Sequence, residues 1–297
     1  MEYDVYHDES QEAGYWHGIL LVPRTTRQVF LSHLEEIRKS TGYRELVRLK
    51  GLDRTAGPRY RCTRAWLHFG VAALMQNLKG KAFPFYTGKD GRNTEFAHLT
   101  STIGARFIPS RVRDGHQQLT GYPDHAAKVE TTFRMALKGG LHLFAGESKE
   151  LTVSSFHFDG HEHHQRRLDP ARIIGRLDSL RQQVTILDNA SIFDDSGDHK
   201  RQVHQPYDDC QFLQLTDLLV SGFRTVLGHQ THEAQARVAF PLGELAKRWH
   251  EGYARMKNSR WFRGFCISEC YLENDQWQFG DLRPQVPDMQ LRLLTMH

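Results

Sequence analysis

Apolar residues recur along the chain at two spacings, which predict alternating strands and helices. Residues 3–8 alternate in polarity and lead through a turn into residues 15–22, so a β-hairpin ending at Pro23 is predicted. Apolar positions with helical spacing predict helices at about 25–42, 63–78, 124–145, 168–180, 211–227 and 242–256. Shorter apolar runs predict strands at about 82–87, 151–159 and 184–188, and a second hairpin at about 262–279 that turns at 273–275.

Two stretches of the chain show neither the strand spacing nor the helical spacing of apolar residues. Residues 88–124 are polar and rich in turn residues, and they are longer than most structureless connections, so they predict an insertion or a functional loop. Residues 44–64 contain Gly51, Gly57 and Pro58, which favour a loop or a broken strand.

Strands alternate with helices in the middle of the chain and pair as hairpins at its two ends. This order predicts an α/β fold in which helices flank a mixed sheet. We expect one domain over residues 1–297, with the insertion at about 88–124. A C-terminal extension of helix and hairpin is expected at about 229–297.

The composition, with 39% hydrophobic and 25% charged residues, is typical of a globular protein. No apolar run approaches the ~20 residues of a membrane span, and the N-terminal residues have no signal-peptide pattern. The four cysteines form no C-x-x-C pair, and a chain this long needs no disulfide framework. These features predict a cytoplasmic protein that does not enter a membrane.

Asp217 is the most unusual residue of the pattern, because it is the only charge between Gln211 and Phe223 in an apolar helix. A carboxylate in such a position must be paired, hydrogen-bonded or bound to a metal, since burying it alone costs several kcal/mol. An ion pair with an arginine or a local backbone contact is the structural alternative to a functional role.

Two further aspartates, Asp8 and Asp188, each end a predicted strand. Ligands of open α/β sheets gather beyond strand ends, although Asp also begins many turns. Carboxylates are hard oxygen ligands that suit Mg²⁺ or Mn²⁺, and such ions assist phosphodiester hydrolysis. Together with Asp217, these residues predict a metal site.

Two short motifs carry a resemblance to a known family. Asp8-Glu9-Ser10 after the first strand and the segment 213–219 (LQLTDLL) resemble the N-terminal D-E-S and C-terminal Q-L-A-D-L patterns of the domain-of-unknown-function family 3800. The resemblance spans residues 3–228, and it implies a ribonuclease-H-like fold. Asp188 matches the aspartate that ends the family's middle strand.

The chain departs from the family at one acidic position. The family carries an E-x-K-like segment after the second strand, whereas the nearest match here, residues 48–50, has Arg48 where Glu is expected. Glu45 lies three residues earlier and is the candidate substitute. If Glu45 does not reach the other carboxylates, the implied site is incomplete.

Positive charge is concentrated in one segment, although the net charge of the chain is only +4. Residues 44–64 hold seven basic residues against two acidic ones. This segment is either a solvated basic surface or a surface that neutralises phosphates. The candidate phosphate-binding residues are Arg44, Arg48, Lys50, Arg54, Arg59, Arg61 and Arg64.

Histidines cluster between residues 157 and 164, at His157, His161, His163 and His164. The spacing is neither H-E-x-x-H nor a complete H-x-H-x-D-H pattern, so solvated turn histidines are the simplest interpretation. A histidine that contacts phosphate or moves a proton is the functional alternative.

The expected function is metal-dependent hydrolysis of DNA or RNA by Asp8, Asp188, Asp217 and Glu45 with Mg²⁺ or Mn²⁺. The first alternative is a nucleic-acid-binding or assembly subunit of the same fold, with a protein partner or as a homo-oligomer. The second is a zinc hydrolase built on the histidine cluster. By resemblance alone, the family's genomic neighbourhood suggests a role in phage defence or mobile elements.

Overall fold

The structure of the chain is a computed structural model that describes residues 1–10, 15–74, 103–113, 125–145, 151–159, 173, 175, 177, 184–188, 190, 192–194, 208–227, 232–251, 266–274 and 276–281. Within them the strands are β1 (Glu2–Ser10), β2 (Tyr15–Pro23), β3 (Arg106–Val112), β4 (Leu151–Phe158), β5 (Val184–Ile186), β6 (Ile192–Asp194), β7 (Ser268–Glu273) and β8 (Gln276–Asp281). The helices are α1 (Arg27–Thr41), α2 (Gly57–Leu74), α3 (His125–Ala145), α4 (Asp208–Val226) and α5 (Glu233–Glu251).

The strands form one mixed sheet in the order β5-β4-β1-β2-β3-β7-β8, with β6 also paired to β4. β1, β2 and β3 are antiparallel neighbours, whereas β4 runs parallel to β1. β5 and β6 both run parallel to β4 and pair with successive parts of it. The expectation of an α/β fold with a mixed sheet flanked by helices is confirmed.

Alternate residues of the sheet face two different helical layers. Tyr6, Trp16 and Leu20 belong to the core formed with α1, α2, α4 and α5. Val5 and Ile19 belong to the core formed with α3 on the other side. Because strand side chains alternate between faces, every second residue of β1 points toward α4.

Helix α4 lies directly on β1 and β2, and Gly18 permits this close approach. A Cβ atom built on Gly18 would lie 2.8 Å from Val220 Cβ. The residue opposite Gly18 in the β1–β2 ladder is Asp8. The approach of α4 therefore takes place beside the first candidate aspartate.

Several predicted elements have the expected bounds. The N-terminal hairpin, α3, β4 and α4 lie within about three residues of their predicted positions. Gly42 ends α1 in the left-handed conformation with φ of 68°. The C-terminal hairpin turns at Asn274, which has φ of 50°.

The prediction of a loop throughout residues 44–64 is wrong, because α2 begins at Gly57. Pro58 lies in the first turn of this helix, where its fixed φ and missing N–H are tolerated. Arg59, Arg61 and Arg64 are therefore helical, and only the preceding basic residues lie in a connection.

Two other elements that contain a proline differ from the prediction. Residues 88–124 were expected to lack regular structure, but β3 lies within them and contains Pro109. Helix α5 begins at Glu233 and passes through Pro241, whereas the prediction started it after this proline. The predicted strand at 82–87 and most of the predicted helix at 168–180 lie outside the described residues. Among the described helices, none is long and apolar enough to cross a membrane.

The close approach at residue 18 gives the first prediction. Gly18→Ala places a methyl group against Val220, so it should lower the free energy of unfolding by about 1–3 kcal/mol through overpacking. Gly280→Ala is the matched control, because its Cβ would meet only Tyr271 Cε1 at 3.8 Å. Urea denaturation measures both, and equal stability of the two variants would contradict the packing of α4 on β2.

Candidate functional site

Asp8 lies near the end of β1 and is 7% exposed. It follows Tyr6 by two residues, so it lies on the sheet face that α4 covers. Its Oδ1 accepts a hydrogen bond from the backbone N–H of Glu9 at 2.8 Å. The strand therefore presents a buried carboxylate toward α4.

Asp159 lies beside Asp8 at the same edge of the sheet. It directly follows β4, and its N–H donates to the carbonyl of His7 at 2.9 Å, which extends the parallel ladder by one bond. It also follows His157 by two residues, and the ring of His157 stacks on Tyr6 with centroids 4.6 Å apart. Asp159 thus shares the sheet face of Asp8.

Asp217 approaches the same place from α4. Its Oδ1 accepts a hydrogen bond from Ser221 Oγ at 3.0 Å, one helical turn further along. Burial raises the pKa of Asp8 well above its usual range, and the negative charges of Asp217 and Asp159 raise it further. The structure therefore brings three carboxylates from β1, β4 and α4 into electrostatic contact, and we call them the acidic cluster.

The acidic cluster fits Mg²⁺ or Mn²⁺ in the type of its donors, since both ions prefer carboxylate oxygens. Within the described residues, no group of three or more His, Cys, Asp or Glu side chains is already placed to hold an ion. Because like charges repel, a cation among the three carboxylates would stabilise them. Asp8, Asp159 and Asp217 are the residues that would hold it.

The three residues of the D-E-S motif divide between the two faces of the sheet. Ser10 is on the face of Asp8, and its Oγ accepts a hydrogen bond from Arg224 Nη1 at 2.7 Å. Glu9 points to the opposite face, where it accepts a hydrogen bond from the hydroxyl of Tyr15. Only the first and third residues of the motif therefore face α4.

A second polar group ties the first turn of α4 to the rest of the fold, and we call it the Asp209 group. Asp209 Oδ1 accepts hydrogen bonds from Tyr6 Oη and Arg27 Nη2, both at 2.8 Å. The same oxygen lies 3.7 Å from His157 Nε2. Burial alone raises the pKa of Asp209, but His157, Tyr6 and Arg27 outweigh it, so the pKa lies below its usual value.

The structure places Asp188 away from the acidic cluster. It is exposed in a turn after β5. Ile186 pairs with Val153 of β4, so Asp188 is level with about residue 155 of that strand. At about 3.3 Å per residue, this position is ~13 Å short of Asp159 along β4. The role of Asp188 as a ligand stays a prediction, and the geometry favours Asp159 for it.

Glu45 is exposed, and it accepts a hydrogen bond from Arg38 Nη1 at 2.7 Å through its backbone carbonyl. Two residues later, the N–H of Val47 donates to Gln214 Oε1 at 3.0 Å. Gln214 precedes Asp217 by three residues, so they are neighbours on the surface of α4. The loop that carries Glu45 is thus held about one helical turn from the acidic cluster, and a catalytic role for its carboxylate stays a prediction.

The candidate phosphate-binding residues lie on the surface with one exception. Arg59 is half-buried and donates to the carbonyls of Gly51 and Lys50 at 3.0 and 2.6 Å. The exposed members are Arg44, Arg48, Lys50, Arg54, Arg61 and Arg64.

Sequence reasoning missed Asp159, although a signal for it was available. It ends the strand predicted at about 151–159, which is the same argument that selected Asp8 and Asp188. The prediction for this part of the chain was based on the neighbouring histidines instead. His157 itself is buried in the Asp209 group, whereas His161, His163 and His164 lie outside the described residues.

Comparisons of the chain with known protein families, with curated proteins and with solved structures gave no match. The family resemblance of the two motifs therefore stays a prediction.

The raised pKa of Asp8 gives a stability prediction. Unfolded chains lose the proton of an aspartate near pH 4, whereas folded Asp8 keeps it to higher pH, so the wild type loses stability as pH rises. Without divalent cations, Asp8→Asn should be more stable than the wild type near neutral pH, because asparagine does not ionise. The advantage should shrink toward pH ~4.

Urea denaturation in EDTA across this pH range measures the difference. Glu273→Gln, an exposed carboxylate in the β7–β8 hairpin, is the control and should follow the wild type. An Asp8→Asn protein that is less stable than the wild type at neutral pH would contradict the electrostatic account of the cluster.

Proposed function

We propose that the protein is a metal-dependent nuclease of the ribonuclease-H-like type that hydrolyses phosphodiester bonds of DNA or RNA. The observation that carries this proposal is the acidic cluster, in which Asp8, Asp159 and Asp217 come from three different elements. The burial of Asp8 beside two like charges lowers the stability of the folded protein, so packing alone gives no reason for it. Such an arrangement is expected where a cation binds.

The protein's own residues have distinct parts in this proposal. The three carboxylates bind Mg²⁺ or Mn²⁺ and set its position relative to the strand ends. A bound ion of this kind lowers the pKa of an attacking water and stabilises charge on the leaving oxygen. The Asp209 group holds α4, and therefore Asp217, against the sheet. Gly18 permits the close approach of α4 to β2.

The strand order supports the proposed site because it brings two of its carboxylates together. β1, β2 and β3 form an antiparallel meander, and β4 and β5 continue the sheet in parallel on the other side of β1. Because β1 and β4 are parallel neighbours, they end at the same edge of the sheet. Asp8 and Asp159 lie at these two strand ends, where the ligands of open α/β sheets gather.

The basic surface supports a polyanionic substrate. Six exposed basic side chains lie in the connection before α2 or on its first two turns. Gln214, which binds this connection through Val47, is one turn from Asp217 on α4. A nucleic acid bound to the basic surface would therefore pass close to the acidic cluster.

The alternative function is a nucleic-acid-binding or assembly subunit without turnover, acting with a protein partner or as a homo-oligomer. Arg48 at the position where the resembled family has an acidic residue favours it, as does the exposure of Glu45. A role in defence or mobile elements rests on the family resemblance under either function.

The test is a nuclease assay of the wild type and Asp217→Asn on single- and double-stranded DNA and RNA, with Mg²⁺, Mn²⁺ or EDTA. We expect metal-dependent cleavage by the wild type. Asp217→Asn should reduce it more than about 100-fold, beyond the loss typical of residues that only support a ligand. Glu273→Gln is the control and should retain wild-type activity.

Two outcomes would overturn the nuclease proposal. Binding of nucleic acid without cleavage under every metal condition would favour the alternative subunit. Stoichiometric zinc in the purified protein, with activity that survives Asp217→Asn, would favour a zinc hydrolase built on the histidines.

A further inference from the structure

Helix α4 carries a stripe of polar residues on the flank that includes Asp217. The members are three or four residues apart, which places them along one side of the helix. They are Gln211, Gln214, Asp217, Ser221 and Arg224. Asp217 thus lies in the middle of a polar stripe that ends at the positive charge of Arg224.

The first part of the stripe is occupied by the protein itself. Arg38 donates to Gln211 Oε1 at 3.0 Å and to Gln214 Oε1 at 2.8 Å. The guanidinium of Arg38 also lies 4.5 Å from the ring centroid of Trp66. Arg38 Nη1 also donates to the carbonyl of Glu45, and Val47 N–H donates to Gln214, so the connection that carries the basic surface is fixed on the N-terminal side of Asp217.

The last part of the stripe ends at Arg224, on the C-terminal side of Asp217. Arg224 is half-buried, and its Nη1 donates to Ser10 Oγ at 2.7 Å. Ser10 follows Asp8 by two residues on the same sheet face. Arg224 lies seven residues from Asp217, which is ~10 Å along the helix axis.

We propose that Arg224, oriented by Ser10, binds a phosphate group of the nucleic acid next to the one that reaches the acidic cluster. A guanidinium is planar, always charged and suited to phosphate oxygens. The basic surface lies on one side of the cluster and Arg224 on the other, so the substrate contacts the protein on both sides of the bond to be cut. This inference rests on the proposed function and assigns it a second binding position.

A purely structural role makes a different prediction. If Arg224 only fastens the last turn of α4 to β1, a neutral hydrogen-bond donor at this position is sufficient. If it binds phosphate, the positive charge is required. Arg224→Gln keeps a donor for Ser10 and removes the charge, whereas Ser10→Ala removes the hydrogen bond and keeps the charge.

The experiment measures the affinity of fluorescein-labelled oligonucleotides in EDTA, where cleavage is excluded, between about 50 and 200 mM KCl. Single-stranded DNA, single-stranded RNA and duplex DNA are the probes. The slope of log affinity against log salt reports the number of phosphates that are neutralised. Arg237→Gln is the matched control, because Arg237 is exposed on α5 and paired with Glu233.

Arg224→Gln should lower the magnitude of this slope by about 0.9 on duplex DNA or about 0.7 on a single strand, the value of one phosphate contact. Arg237→Gln should keep the wild-type slope and affinity. Ser10→Ala should keep the slope, because the charge remains, but weaken binding, because Arg224 loses the hydrogen bond that orients it. An unchanged slope in Arg224→Gln, with wild-type cleavage intact, would overturn this inference and leave the proposed function standing. Absence of both binding and cleavage in the wild type would overturn the two together.

Discussion

The site depends on one steric constraint, the absence of a side chain at residue 18. Because Gly18 lets Val220 approach β2, α4 lies against the sheet next to Asp8. The two ends of the helix are then fixed by polar contacts, with the Asp209 group at its first turn and Arg224 on Ser10 at its last. Asp217 lies between these two attachments, so its position relative to β1 and β4 is set by the fold.

The same packing of α4 on the sheet destabilises the ionised form of Asp8. Burial and two like charges raise the pKa of Asp8, whereas the Asp209 group surrounds its own carboxylate with donors and lowers the pKa. Asp209 has Arg27 and His157 beside it, whereas the charges that act on Asp8 are those of Asp217 and Asp159. Asp209 therefore stabilises the fold, and the proposed role of Asp8 as a cation ligand would give its burial a function. Proteins commonly give up stability at such sites.

Much of the fold was predictable because it rests on local patterns. Alternation identified the N-terminal hairpin, helical spacing identified α4, and Gly42 marked the end of α1. The errors arose where proline lies inside an element, as at Pro109 in β3 and Pro241 in α5. A single sequence does not reveal whether the backbone donor that proline lacks is needed at that point.

Part of the candidate site was also predictable from local patterns. Asp8 and Asp217 are anomalies in their own segments, so local reasoning found them. The choice between Asp159 and Asp188 depends on the register of β4 with β1 and β5, which no local pattern encodes. The polar stripe of α4 was not predicted, because its contacts with Arg38 and Ser10 join residues that are far apart in the sequence.

A single divalent cation site formed by Asp8, Asp159 and Asp217 is tested by calorimetric titration with Mn²⁺ of the wild type, Asp159→Asn and Asp188→Asn. We expect the wild type and Asp188→Asn to bind Mn²⁺ alike and Asp159→Asn to bind it at least about tenfold more weakly. Unchanged binding in Asp159→Asn, or loss of binding in Asp188→Asn, would contradict it.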